Sequence, residues 1–198
     1  MKIGVLALQG AFAEHIKVLA ALNIEAVPIR LSSDLAGIKA LIVPGGESTS
    51  ISKLLTDYSL KEPVKNLIQQ GLPVLGTCAG MVLLAKKVVG FEVDTLGVMD
   101  IEIKRNAFGR QVDSFEADLP MPALGDKAFH GIFIRAPIVQ KTEAGVEILC
   151  QINNRAVAVR QGRMLACAFH PELADDLRFH RYFLTLVGGD AVAENNSR

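Results

Sequence analysis

The sequence predicts an α/β protein: a single-domain, three-layer sandwich with a mostly parallel sheet, helices on both faces, and antiparallel strands in the second half. The first half alternates short apolar runs with amphipathic segments, the pattern of parallel strands joined by right-handed helical crossovers. From about residue 90 this pattern gives way to short strands separated by tight turns. Half of the 198 residues are apolar, enough for one core, so we expect one domain over residues 1–188 and a polar, flexible tail over 189–198.

The first half is predicted to contain four strands and three helices. In the first helix, Ile16 and Leu19 share the apolar face. Gly71 is a suitable stop for the third helix. In parallel sheets of this kind ligands bind beyond the carboxyl ends of the strands, which is where the glycines after Pro44 and the residue Cys78 fall. The predicted strands cover residues 2–8, 26–29, 40–43 and 72–76, and the predicted helices cover 11–22, 50–55 and 60–70.

The second half is predicted to contain short strands, hairpin turns and a closing helix. The pairs Asn153-Asn154 and Gln161-Gly162 are typical of hairpin turns, and residues 106–109 indicate another turn. The closing helix covers 175–187 and has an apolar side. The predicted strands cover residues 101–104, 111–116, 145–152, 156–160 and 164–169.

Composition excludes several classes of protein. Lys and Arg number 21, as do Asp and Glu, so the net charge is zero and neither nucleic acid nor an anionic membrane is an expected partner. No apolar run approaches the roughly 18–20 residues of a membrane span. Three widely separated cysteines indicate free thiols in a reducing compartment. The apolar run after Lys2 resembles a signal peptide, but Gln9 and Gly10 interrupt it, and we expect a cytoplasmic protein whose first strand is buried.

The strongest local signal is a cysteine between two glycines, Gly76-Thr77-Cys78-Ala79-Gly80, placed between two apolar runs. A strand that turns sharply into a helix would hold Cys78 at the tip, as in the G-x-S-x-G elbow of hydrolases. Small flanking residues allow the backbone crowding of such a turn, and a helix N-terminus favours the reactive thiolate. The alternative is that Cys78 is a small apolar core residue.

A nucleophilic cysteine needs a base, and His170 is the best candidate among four histidines. It follows an apolar strand, and Pro171 disfavours helix at that position. In an extended chain His170 and Glu172 face the same way, so the carboxylate can orient an imidazole that faces the thiol. A surface His-Pro-Glu turn is the alternative. We interpret His15 and His180 as solvated residues of helices, and His130 as a residue at the start of a strand.

Acyl chemistry also requires donors for a developing oxyanion. In an elbow, the N–H after the nucleophile, here that of Ala79, is one donor. The Gly45-Gly46 turn ends a neighbouring strand and can bring a second N–H close. A phosphate cradle is the alternative, but no Walker or dinucleotide pattern accompanies these glycines. No spacing of Cys and His predicts a metal site.

Six segments between residue 2 and about residue 187 carry a resemblance to a known family. The G-x-C-x-G elbow and the distant His-x-Glu resemble class I glutamine amidotransferases, whose fold is flavodoxin-like. The segments at 105–111 and 133–137 are more specific and resemble the glutaminase subunits of pyridoxal 5′-phosphate synthase. The six segments are 4–10 (GVLALQG), 44–49 (PGGEST), 76–81 (GTCAGM), 105–111 (RNAFGRQ), 133–137 (FIRAP) and 170–173 (HPEL).

The resemblance implies roles for individual residues. Cys78 would attack the side-chain amide carbon of L-glutamine, His170 would pass a proton to the departing ammonia, and Glu172 would hold the imidazole. Water would then hydrolyse the glutamyl thioester, with Ala79 and Gly46 lining the oxyanion site. The positions implied to bind glutamine are Gly46, Glu47, Ser48, Arg105, Ile134 and Arg135. Without the resemblance, Arg105 and Arg135 are better explained as charged strand edges, although either could bind a carboxylate with its planar fork.

The resemblance also implies a partner, the synthase subunit that builds pyridoxal 5′-phosphate from a pentose phosphate, a triose phosphate and the released ammonia. Pyridoxal phosphate would be a product of the complex, and we expect no cofactor and no metal in this chain. Two alternatives stay open. One is a free-standing cysteine hydrolase or peptidase of similar fold, and the other is a catalytically silent regulatory domain.

Overall fold

The computed structural model describes residues 1–105 and 114–188. Within these ranges the helices are α1 (Phe12–Ala21), α2 (Ser48–Asp57), α3 (Lys61–Gln69), α4 (Ala79–Leu84) and α5 (Arg178–Gly188). The strands are β1 (Lys2–Leu6), β2 (Glu25–Ile29), β3 (Ala40–Val43), β4 (Val74–Thr77), β5 (Ala85–Val89), β6 (Met99–Lys104), β7 (Ser114–Leu119), β8 (Phe129–Ile134), β9 (Ile138–Thr142), β10 (Glu147–Ile152), β11 (Arg155–Gln161) and β12 (Met164–Cys167).

One large sheet organises the described part of the chain, in the order β2-β1-β3-β4-β12-β11-β9-β6-β5, with β10 paired to β11. The first five strands in this order, β2, β1, β3, β4 and β12, are parallel. The pairs β12–β11, β11–β9 and β9–β6 are antiparallel, and β5 runs parallel to β6. Strands β7 and β8 form a separate antiparallel pair. The expected mostly parallel sheet with antiparallel strands in the second half is therefore confirmed.

Helices cover both faces of the sheet because the chain moves in opposite directions along it. The crossover from β1 to β2 through α1 runs one way, and the crossover from β3 to β4 through α2 and α3 runs the other way. Right-handed crossovers in opposite directions place their helices on opposite faces. Helix α5 packs against α1 on the same face of the sheet, since His180 of α5 contacts His15 of α1.

The central strands of the sheet end at the residues that the sequence singles out. β4 and β12 are parallel neighbours in which Thr77 is paired with Cys167. Cys78 follows β4 directly, and its N–H donates to the carbonyl of Cys167 at 2.8 Å. Below them the strands are almost completely buried, as continuous apolar runs in a two-sided sheet require. The sheet therefore brings the ends of β4 and β12 together on a rigid base.

The predicted elements of the first half are present with shifts of a few residues at their ends. Both predicted hairpins in the second half are also present, and Asn153 and Asn154 have φ values of 49° and 60°, as a tight hairpin turn requires. Strands β5 and β9 are not among the predictions, and β8 was predicted only through the interpretation of His130 as a strand start. The predicted turn at 106–109, the start of the strand predicted at 111–116, and the tail at 189–198 lie outside the described residues. Among the described residues, the helices are too short or too polar to cross a membrane.

Candidate active site

The tight turn at Cys78 is the centre of the site. Strand β4 ends at Thr77 and α4 begins at Ala79, so that Cys78 alone makes the turn, with φ 48° and ψ −103°. Positive φ is uncommon for a residue with a side chain and costs on the order of 1–3 kcal/mol, which the surrounding structure must supply. The strand–turn–helix geometry expected of a nucleophile elbow is present.

Close backbone packing explains the glycine two residues after the cysteine. A Cβ at Gly80 would lie 1.9 Å from the carbonyl oxygen of Val43, the last residue of β3. No side chain fits in that space. Helix α4 therefore rests directly on the end of the neighbouring strand, and this contact holds the elbow in place.

His170 and Glu172 lie together beside Cys78. Nδ1 of His170 is 2.7 Å from Oε1 of Glu172, and both residues are buried. Residues Pro171–Leu173 form a 3₁₀ turn, so the expectation of an extended segment there is wrong, although the two side chains do meet. The loop after β3 leaves room for the imidazole, because a Cβ at Gly45 would lie 2.4 Å from Cε1 of His170.

The environment of His170 favours its charged form. Burial lowers the pKa, but hydrogen bonds with Cys78 and Glu172 outweigh burial and raise the pKa of His170 to about 10. Sγ of Cys78 also donates to the carbonyl of Ile134 at 3.6 Å. The sulfur of Cys78 therefore contacts both the imidazole of His170 and the carbonyl of Ile134.

A cavity of about 150 Å³ opens at Cys78. Nine of the ten residues that the sequence singles out line it, and the tenth, Glu172, is buried and bonded to His170. Val82 and Pro137 also line the cavity and are not among the predicted residues. The nine are Gly46, Glu47, Ser48, Cys78, Ala79, Arg105, Ile134, Arg135 and His170.

Charged groups of opposite sign lie side by side at this cavity. Glu47 caps α2, and its carboxylate accepts from the N–H groups of Thr49 and Ser50 at 3.2 and 2.7 Å. Burial opposes ionisation, but hydrogen bonds from Thr49 and Ser50 lower the pKa of Glu47 to about 2. Nη2 of Arg105 lies 3.3 Å from Oε1 of Glu47, and its guanidinium carbon is 4.1 Å from the centre of the Phe91 ring. Arg105 is therefore held in one orientation.

Two residues that the sequence analysis missed shape the loop at 44–47. Oγ1 of Thr77 accepts from the N–H of Gly45 at 3.0 Å, and the side-chain oxygen of Gln9 accepts from the N–H of Glu47 at 2.9 Å. Ala79 is the first residue of α4, so its N–H has no partner within the helix. Thr77 is part of the quoted elbow, and Gln9 is part of the quoted segment 4–10, so the motifs contained both positions without indicating their roles.

Two of the three other histidines are placed differently from the predictions. His15 and His180 are completely buried, so their interpretation as solvated residues is wrong. His15 of α1 and His180 of α5 contact each other instead of water, and Nδ1 of His15 lies 3.0 Å from Nε2 of His180. His130 is the second residue of β8, next to the predicted strand start, and it is exposed, between Glu116 and Asp118. No group of His, Cys, Asp or Glu in residues 1–105 and 114–188 is arranged to hold a metal ion.

The buried histidines predict that the fold loses stability in mild acid. Burial, then the charges of His180 and His170, lowers the pKa of His15 well below its usual value, and burial lowers the pKa of His180 to about 4. Between pH 6.5 and pH 4 the unfolded chain therefore binds more protons than the folded one, and stability falls as the pH falls. His170 has a raised pKa, so its protonation favours the folded state as the pH falls and offsets part of this loss. We expect the free energy of unfolding to fall by about 3 kcal/mol in total between pH 7 and pH 5.

Urea unfolding followed by circular dichroism at each pH measures this loss. His180→Gln should flatten the pH dependence, whereas the exposed control His130→Gln should not. An unfolding free energy that stays constant from pH 7 to pH 5 would contradict the burial of neutral histidines.

Comparison with known proteins gives consistent results. Residues 5–188 match the sequence profile of the SNO glutamine amidotransferase family. The pyridoxal 5′-phosphate synthase subunit PdxT of Moorella thermoacetica is 55% identical over 188 residues, covering 95% of this chain and 100% of that protein. The subunit of the same name from Pelotomaculum thermopropionicum is 58% identical over 184 residues, covering 93% of this chain and 94% of that protein.

Solved structures show the same architecture. A crystal structure of a glutamine amidotransferase superimposes with a TM-score of 0.89 at 51% identity, covering 94% of this chain and 98% of that one. A glutamine amidotransferase from Thermotoga maritima superimposes with a TM-score of 0.63 at 12% identity, covering 95% and 94% of the two chains, and at that identity the likeness concerns the fold alone. The profile match and the relatives span almost the whole sequence, and the chain therefore belongs to the SNO glutamine amidotransferase family.

Proposed function

We propose that the chain hydrolyses L-glutamine to L-glutamate and ammonia through a glutamyl thioester on Cys78. The observation that carries this proposal is the cavity at Cys78, which is lined by nine of the ten residues expected to perform the reaction. Membership of a glutamine amidotransferase family supports the same chemistry.

The arrangement of Cys78, His170 and Glu172 is suited to acyl transfer. The thiolate attacks the amide carbon of glutamine, and the imidazolium of His170 gives its proton to the departing ammonia. Neutral His170 then takes a proton from water, which attacks the thioester and releases glutamate. Glu172, 2.7 Å from Nδ1, holds the ring so that Nε2 faces the sulfur in both steps.

Oxyanion stabilisation is assigned to the N–H groups of Ala79 and Gly46. Ala79 begins α4 directly after the nucleophile, and Gly46 lines the same cavity. Losing one such donor costs roughly 3–4 kcal/mol of transition-state stabilisation.

Recognition of the amino acid end of glutamine is assigned to charged groups of the cavity. Nη1 of Arg105 is buried and has no hydrogen-bond partner among the described residues, so a substrate carboxylate would satisfy it. The ionised carboxylate of Glu47 beside it is suited to the ammonium group. Ser48, Ile134 and Arg135 complete the lining of the cavity.

The ammonia is proposed to pass to the synthase subunit of pyridoxal 5′-phosphate synthase. The names of the relatives from Moorella and Pelotomaculum, which describe a subunit of that synthase, support this partner. The hydrogen bond from Cys78 to the Ile134 carbonyl favours the unreactive thiol, so we expect the chain to be slow by itself. We assign the activity to the cytoplasm, because all three cysteines are free, as in a reducing compartment.

Glutamine turnover, measured as glutamate formed by the chain alone and with its cognate synthase subunit, tests the proposal. Turnover should rise roughly tenfold or more when the partner is present, the size of a typical coupling between sites. Equal rates with and without the partner would contradict activation and favour a free-standing hydrolase. No turnover in either case would favour a silent domain.

A further inference from the structure

Glu172 has two carboxylate oxygens, and only one of them faces His170. Oε1 is 2.7 Å from Nδ1 of His170, while Oε2 lies 3.3 Å from Nε2 of His15. The side chains of Glu172 and His15 are completely buried. The Oε2 contact falls short of standard hydrogen-bond geometry, and among the described residues Nε2 of His15 is the polar atom that faces Oε2. A buried carboxylate is costly unless both oxygens are stabilised, so His15 is needed at this position.

His15 also reaches the opposite side of the site. Its Nε2 is 3.1 Å from Oγ1 of Thr77, and that oxygen accepts from the N–H of Gly45 at 3.0 Å. Gly45 precedes Gly46 in the loop proposed to bind the oxyanion. One imidazole therefore contacts both the residue that orients the base and the residue that fixes this loop.

Hydrogen-bond accounting selects the tautomer of His15. With the proton on Nε2, His15 offers an N–H to Glu172 and Thr77, and Nδ1 accepts from Nε2–H of His180. Oε2 of Glu172 then faces an N–H, although outside standard hydrogen-bond geometry, and two neutral groups lack a partner among the described residues: the acceptor Nδ1 of His180 and the hydroxyl hydrogen of Thr77. With the proton on Nδ1, a lone pair of His15 would face the carboxylate of Glu172, and His180 would bury an unpaired N–H. A carboxylate oxygen that faces a lone pair costs more than neutral groups left without a partner, so the first tautomer is favoured.

We propose that His15 is a positioning residue: its Nε2–H holds Glu172 and Thr77 in place, and His180 fixes its tautomer. The chain His180–His15–Glu172–His170–Cys78 then runs from α5 through α1 to the nucleophile. The inference rests on the proposed function, because it assigns His15 a role in orienting the base of that reaction.

Two variants of His15 separate the N–H group from the size of the ring. His15→Leu keeps an apolar side chain of similar bulk and removes both nitrogens. His15→Gln keeps an N–H at a similar distance from the backbone. In the complex with the synthase subunit, His15→Leu should lower kcat by roughly 10–100-fold and leave KM within about twofold, since small misplacements of reacting groups cost about that much. His15→Gln should recover kcat to within about fivefold of the parent.

Nuclear magnetic resonance of the ¹⁵N-labelled parent tests the tautomer without any change to the core. The signals of His15, assigned by their loss in His15→Gln, should show a protonated Nε2 and an unprotonated Nδ1 at pH 7. The opposite tautomer would overturn the proposal. So would a kcat of His15→Leu within twofold of the parent, or equal losses in the two variants. If the parent complex does not hydrolyse glutamine, the proposed function fails. If His15→Leu does not fold, the tautomer of His15 in the parent alone supports or overturns the proposal.

Discussion

Cys78→Ala is expected to abolish glutamine hydrolysis, both in the isolated chain and in the complex with a synthase subunit. The variant removes the only atom that can form the glutamyl thioester in the proposed reaction, so kcat should fall by roughly 10⁴-fold or more. The fold should be retained, since Cys78 takes its strained backbone conformation from α4 and β3 rather than from its side chain. Rapid acid quenching and mass spectrometry should detect a glutamyl adduct on Cys78 in the parent and none in the variant.

Cys150→Ala is the matched control. Cys150 is a buried free thiol of β10 that does not line the cavity at Cys78. It should keep kcat within about twofold and lose on the order of 1 kcal/mol of stability through the lost packing. Full activity of Cys78→Ala in the complex would remove the basis for the whole mechanism.

Gly80→Ala is expected to destabilise the fold by roughly 4 kcal/mol or to prevent folding, which is at the upper end of the effects of single substitutions. In an ordinary helix the change would gain about 1 kcal/mol from helix propensity. Here the added Cβ would lie 1.9 Å from the carbonyl oxygen of Val43, and backbone atoms must move to make room. The clash therefore outweighs the propensity. Urea unfolding followed by circular dichroism measures the change.

Gly37→Ala separates the clash from the backbone effect. Gly37 has φ 75°, and no atom lies within 4 Å of a Cβ built there. This variant should lose only about 1 kcal/mol, the cost of a side chain in the left-handed region. If Gly80→Ala unfolds at the same urea concentration as the parent, α4 does not rest on the end of β3.

The elbow could be predicted because local sequence determines it, and the contact of His170 with Glu172 was predicted although the backbone there is a 3₁₀ turn and not the expected extended segment. Cys78 follows a strand and precedes a helix, and small residues flank it, as the backbone crowding of such a turn requires. The hairpins at Asn153 and at Gln161 follow from turn chemistry in the same way. The placement of Cys78 and His170 on neighbouring strands was accessible because parallel strands end at the same edge of a sheet.

The roles of His15 and His180 could not be predicted because they depend on a contact across 165 residues of sequence. A histidine among charged residues in a helix fits a solvated face equally well, and only the packing of α1 against α5 distinguishes the two. Strand β5 was missed for a related reason. Residues 81–89 pass from α4 into β5 without a Gly, Pro, Asn or Asp between them, so the sequence pattern does not mark the change.

The arrangement of the sheet has a consequence for local opening. Cys78 and His170 follow two central strands, where opening requires nearly global unfolding. Arg105 follows β6, which is separated from solvent at the sheet edge by β5 alone, and edge strands fray at much lower cost. On the proposed function, the Arg105 side of the cavity can therefore open at lower cost than the Cys78 side while the reacting groups keep their alignment. Ligand exchange is in this way assigned to the less stable edge of the sheet, and the reaction to its more stable centre.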